Sequence, residues 1–190
     1  MAKRVYFAFH HQDVVEFRTN VVRNHNALQG VEKAGYYDHS IWEDFKRRGD
    51  VTLKRLINGE LEGSSVTAVL IGSGTYARRW VRYEILRSLE RGNHVLGIHI
   101  NGIAGADRTT LPLGPNPFEW LSLTISATGT QVVPGVWNGA QWITYPDLAA
   151  FSVGERPRTE WGQSYKLSHW LKTYGWVADK GYEQFSDWIR

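Results

Sequence analysis

The sequence predicts an α/β fold: a mainly parallel sheet with helices on both faces. Apolar, β-branched runs at 4–9, 66–71 and 94–100 have the length of strands covered on both sides. Helix-periodic segments stand between them in the order β-α-β-α-β-α-β, and connections of crossover length imply parallel strands joined by right-handed crossovers. The sharpest signal lies at 65–93. There a strand (Val66 to Ile71) enters the turn Gly72-Ser73-Gly74, and a helix follows that Gly92-Asn93 stops.

The first strand is Arg4 to Phe9, followed by His10-His11-Gln12-Asp13 and a helix to about His25. Asp13 falls in the first turn of that helix, and Val14, Phe17, Val21 and Val22 form its buried face. Gly30 to Tyr37 is a weaker strand, leading into the polar loop Asp38 to Asp44 with its large aromatic Trp42. Asp50 is placed to cap a helix through Leu61, whose Leu53, Leu56, Ile57 and Leu61 share one face. On the helix after the glycine turn, Ala77, Val81, Ile85, Ser88 and Leu89 make the stripe for the sheet. Trp80 and Glu84, at i and i+4, sit together on its edge. His94 to Ile100 is the next strand. In such sheets ligands gather at the carboxyl ends of strands, here Phe9-His10, the 38–42 loop and the glycine turn.

After Asn101 the pattern changes. A turn-rich loop to Phe118 precedes three short antiparallel strands at 121–125, 131–137 and 141–145, with Asn138-Gly139 as a strong hairpin signal. The tail from Leu167 to Arg190 reads as helical, with breaks at Gly175 and Gly181. The expectation is one domain, with a core of about 1–101 and a C-terminal β-hairpin and helix embellishment of about 102–190.

Composition narrows the function. Zero cysteines exclude disulfides, thiolate metal sites and a cysteine nucleophile. The seven histidines show no metal-ligand spacing, so no metal is expected. The opening MAKRVYFAFHHQD lacks an apolar leader core, and no run approaches a membrane span, which points to a cytoplasmic protein. The net charge of +3 is spread over helical faces rather than gathered into a nucleic-acid stripe, and no nucleic-acid or membrane partner is expected.

Gly72-Ser73-Gly74-Thr75-Tyr76-Ala77 formally fits a dinucleotide fingerprint. The acidic residue required near the end of the next strand is missing, and the turn follows the third strand rather than the first. A tight strand-to-helix turn without a ligand explains it better. By itself Glu84 fits an exposed helical carboxylate paired with Arg78, Arg87 or Arg91. Its neighbour Trp80 and its place beside the strand-end cleft raise it above that.

Trp80-Val81-Arg82-Tyr83-Glu84 resembles the W-x-x-x-E signature of TIR domains, Val5 to Phe9 their first-strand box, and Val69 to Ser73 the strand before their catalytic helix. More closely, KRVYFAFHHQDVVEFRTNVVRNH, SIWEDFKRRGD, LKRLINGELEGSSVTAVLIGSGTYARRWVRYEI, GIHIN, GPNPF and WVADKGYEQFSDWI resemble the ThsB branch, the TIR-like proteins of the bacterial Thoeris anti-phage system. The likeness covers nearly the whole chain. It implies a flavodoxin-like TIR fold acting on NAD+ as substrate, with no separate cofactor. Members release nicotinamide and make a cyclic ADP-ribose-type signal that activates the effector ThsA. A phage-derived trigger and a homo-oligomer also belong to the expectations. His10-His11 replace the Ser-Tyr common after the first strand of ordinary TIR domains.

On this resemblance Glu84 is the catalytic glutamate and Trp80 positions its helix. Phe9 and Trp42 would stack on nicotinamide or adenine, while His10 and Ser73 would meet ribose or phosphate. Nicotinamide leaves as a neutral base from a cationic substrate, so one carboxylate suffices where O-glycosidases need two. Two alternatives stand beside this reading. A non-enzymatic TIR-like assembly module predicts self-association without nucleotide turnover. A Rossmann-type oxidoreductase predicts reversible NAD(H) binding without nicotinamide release.

Overall fold

The computed structural model describes residues 4–10, 17–24, 32–34 (backbone), 44–45 and 47–190. Five strands, β1 (Arg4–Ala8), β2 (Glu32–Ala34), β3 (Val66–Ile71), β4 (His94–His99) and β10 (Thr173–Gly175), form one sheet in the order β10-β4-β3-β1-β2. Every pairing in it is parallel, with Val5 opposite Val66, Val66 opposite His94 and Gly97 opposite Thr173. All six residues of β3 are buried, as its unbroken apolar run requires of a strand covered on both faces.

Side-chain alternation sends the two faces of this sheet into two cores. Val5, Phe7, Ala68, Leu70, Leu96 and Ile98 pack with Val22 of α1 (Arg18–Arg23), Trp176, and Phe185 of α4 (Gly181–Trp188). Tyr6, Ala8, Val69 and Ile71 pack on the opposite face. They meet Leu53, Ile57 and Leu61 of α2 (Asp50–Leu61), and Val81 and Ile85 of α3 (Arg79–Glu90). The expected placement of helices on both faces is realised.

The second core continues into an antiparallel sheet made by β5 (Leu121–Ile125), β6 (Gln131–Trp137), β7 (Trp142–Thr144), β8 (Phe151–Ser152) and β9 (Ser164–Lys166). Leu121, Leu123, Ile125, Val132 and Val136 point from it into the α2–α3 core. Their partners on the same strands, Thr124 and Val133, are only partly buried, which is the alternation of a half-solvated sheet.

Three details depart from the sequence reading. The tail is not mainly helical: Thr173–Gly175 is the fifth parallel strand, and helix is confined to Gly181–Trp188. Thr173 fits there because its partner strand carries Gly97, where an added Cβ would lie 2.7 Å from the Thr173 methyl. Asp50 does not cap α2. Gly49 occupies the cap position at φ 96°, a conformation only glycine adopts cheaply, and the Asp50 carboxylate pairs with Arg79 instead. The helix after the glycine turn begins later than expected, because Thr75–Ala77 forms a 3-10 turn and leaves Ala77 exposed outside the stripe. Asp13 and the loop carrying Trp42 lie outside the described residues.

Candidate active site

Glu84 lies five residues into α3, roughly 7.5 Å along it at 1.5 Å per residue. The helix packs on β1, β3 and β4 on one side and on α2 on another, so its buried arc is wide enough to take in Tyr83, Glu84 and Leu86. Glu84 is only 5% exposed. The exposed, Arg-paired carboxylate that its helical surroundings allowed is therefore not what the fold builds. Its Oε1 accepts a hydrogen bond of 2.7 Å from the Tyr6 hydroxyl, which reaches from the middle of β1. Its Oε2 is buried and has no hydrogen-bond partner among the described residues. Burial pushes the carboxyl up to about 8, against the Tyr6 hydrogen bond that favours the ionised form. A buried carboxyl with one oxygen held and one unmatched is costly for a core, and such groups concentrate where ligands bind.

The approach to the helix is fixed by backbone. Thr75 Oγ1 accepts from the Gly72 N–H at 2.9 Å, closing the turn after β3, while Ser73 stands exposed at its tip. The loop after β4 then crosses this turn at Gly114, where an added Cβ would come 2.2 Å from the Gly72 carbonyl oxygen and 3.0 Å from Ser73 Cα. The close approach that glycine permits here is thus between two loops of the chain. Two residues on, Asn116 Oδ1 accepts from the Phe118 N–H at 2.9 Å and pins the following 3-10 turn. Gly114→Ala is expected to push the two loops apart and cost roughly 2–4 kcal/mol, since neither contact is a side chain that can swing away. A melting temperature within a degree of wild type would contradict this packing.

Trp80 is half-buried against the α2–α3 core, edge-on to Tyr83 at 6.0 Å, with the Arg79 guanidinium 4.7 Å above its ring. Arg79 is held in place by Asp147, which it grips through Nε at 2.8 Å and Nη2 at 2.7 Å, and by Asp50 at 2.7 Å. Lys54 of α2 also pairs with Asp147, at 3.1 Å. One carboxylate from the C-terminal third therefore ties the start of α3 to α2. The Arg79 and Lys54 cations hold the Asp147 carboxyl down, to about 2 from the ordinary 3.8. That contribution is complete above pH 3.8 and disappears as pH falls through about 2. Asp147→Asn is expected to lower stability at pH 7 by about 1–2 kcal/mol, the half-exposed Arg79 being partly screened, with the difference vanishing near pH 2. Equal denaturation midpoints at pH 7 would contradict it.

The structure brings Glu84 and Trp80 together on α3 and places Ser73 on the turn leading into it. Phe9 lies elsewhere: its half-buried ring packs into the core on the other face of the sheet, 5.9 Å beneath the Arg23 guanidinium. His10 is half-buried just beyond the end of β1. Trp42 lies outside the described residues. Sequence reasoning missed Tyr6 and Asp147. A hydroxyl within the central strand Val5 to Phe9 was the available signal for the first, since a buried Tyr needs a partner. Nothing local marked the second. Among the described residues no helix is long and apolar enough to cross a membrane, and no three His, Asp or Glu side chains gather as a metal cage.

A parallel sheet with a glycine turn after β3, and a W-x-x-x-E helix whose glutamate is buried against β1, defines a TIR-like domain. The family model described as "Thoeris protein ThsB, TIR-like domain" matches residues 6–104. A Bacillus cereus (strain MSX-D12) protein described as "Putative cyclic ADP-D-ribose synthase ThsB1" is 49% identical over 191 residues, spanning 100% of both chains. The chain belongs to the ThsB family.

Proposed function

We propose that this protein cleaves NAD+ in bacterial anti-phage defence, releasing nicotinamide and making a cyclic ADP-ribose-type signal that activates the effector ThsA. The observation that carries this reading is the Glu84 carboxyl, buried on the W-x-x-x-E helix with Oε2 unmatched, in a chain 49% identical along its whole length to a relative described as a cyclic ADP-D-ribose synthase. Phage infection supplies the trigger, and the reaction takes place in the cytoplasm.

The chemistry asks little of the protein beyond electrostatics and placement. The bond between ribose C1 and the nicotinamide nitrogen breaks, its electron pair leaving with the neutral base. The ribosyl group passes through an oxocarbenium-like transition state, and the Glu84 carboxylate stabilises that charge. A ring nitrogen or hydroxyl of the same molecule then attacks C1 and gives up one proton, so the product has the mass of ADP-ribose less one water. Excluding water from the site favours this closure over hydrolysis. In the free protein burial keeps Glu84 largely protonated at pH 7, and a cationic substrate draws it toward the ionised form. Trp80, clamped under Arg79, holds the helix that carries it. Ser73 and His10, at the carboxyl ends of the strands, meet ribose or phosphate, and Trp42 flanks a base by stacking; Phe9, packed on the other face of the sheet, takes no part.

Incubation with NAD+, with and without extract from phage-infected cells, tests the reading. Free nicotinamide accumulating with time is expected. Reversible NAD+ binding with no nicotinamide under either condition would contradict it, and self-association in its place would favour an assembly module.

A further inference from the structure

We propose that Tyr6 is the positioning residue of this site: its phenol holds Oε1 of Glu84, leaving Oε2 as the oxygen that meets the substrate. The inference rests on the reading of Glu84 as the catalytic carboxylate. Tyr6 is fully buried on β1, a strand flanked by β2 and β3, so its ring has no freedom to follow a moving carboxyl. Its hydroxyl lies 2.7 Å from Oε1 and provides the one hydrogen bond that Glu84's side chain makes among the described residues. A free carboxyl could rotate and present either oxygen. With Oε1 tied across the sheet, rotation breaks a buried hydrogen bond, and the orphaned Oε2 is the oxygen left for a ligand. A hydrogen bond to a carboxylate is stronger than one to a neutral acid, so the same phenol favours the ionised form that the oxocarbenium-like transition state requires.

Tyr6→Phe keeps the ring and removes only the donor. The expected result is a folded protein with kcat lowered about ten- to a hundredfold and KM for NAD+ little changed, because Tyr6 touches the carboxyl and not the substrate. The acid limb of the kcat/KM profile, which reports Glu84 in the free protein, moves to higher pH. A purely structural Tyr6 would lower the melting temperature without moving that limb. Should Tyr6→Phe fail to fold, site-specific fluorotyrosine at position 6 supplies a stronger donor of nearly the same shape, and the limb is expected to move to lower pH. Wild-type kcat with an unmoved limb, in either variant, would overturn the assignment while leaving Glu84's role intact. A wild-type protein that releases no nicotinamide, with or without infected-cell extract, would overturn the Glu84 reading and this role with it.

Discussion

The Glu84→Gln protein is expected to outlast wild type against denaturation at pH 9, to match it near pH 5, and to lose NAD+ turnover by at least about a thousandfold. The stability half follows from burial. In the folded protein the Glu84 carboxyl titrates at about 8, against an ordinary value of 4.5. Between those values the folded chain keeps a proton that the unfolded chain has released, so wild-type stability falls as pH rises from 4.5 through about 8. Glutamine has no proton to lose, and its carboxamide oxygen still accepts from Tyr6. The gap at pH 9 is on the order of 2–4 kcal/mol, and it closes below pH 5. The activity half follows from charge: a neutral carboxamide cannot balance an oxocarbenium-like ribose. A variant that is inactive and no more stable at pH 9 would mean that Glu84 is solvated in the folded protein.

Trp176→Ala is expected to cost about 3–5 kcal/mol, enough to leave much of the protein unfolded at growth temperature. Trp176 is fully buried against the parallel sheet, 5.8 Å from Phe185 and 6.4 Å from Trp188 between ring centres. Its backbone N–H donates to the His99 carbonyl at 2.9 Å, and its backbone carbonyl accepts from the Gly181 N–H at 2.7 Å. It therefore seats both β10 and α4 on the face of the sheet opposite Glu84. Gly181 is where the fit is tightest, since an added Cβ there would lie 2.5 Å from the indole. A cooperative loss of the whole unfolding transition is predicted. Loss confined to the signal of the last helix, with the sheet unaffected, would show that the tail is an appendage.

The parts of the fold legible in the sequence were those whose signal is local. β3 has the bounds that its run implies, Val66–Ile71, and α2 ends at Leu61, where its periodicity ends. β10 was illegible because Thr173–Gly175 carries no apolar run of its own. It is a strand only because β4 offers a parallel edge and Gly97 leaves room. The site divides the same way. Glu84 and Trp80 follow from a spacing on one helix, whereas the Tyr6 contact spans 78 residues and depends on which face of β1 meets α3. Asp147 resisted for a similar reason: its role is created by Lys54 and Arg79, which the fold alone brings together.

The most direct test of the account is mass-resolved chromatography of NAD+ incubated with wild type and with Glu84→Gln in parallel, each with and without infected-cell extract. Equal amounts of nicotinamide and of a product at the mass of ADP-ribose less one water are expected from wild type, both absent from the variant. Product formation that survives in Glu84→Gln, or none from wild type in either condition, would contradict it.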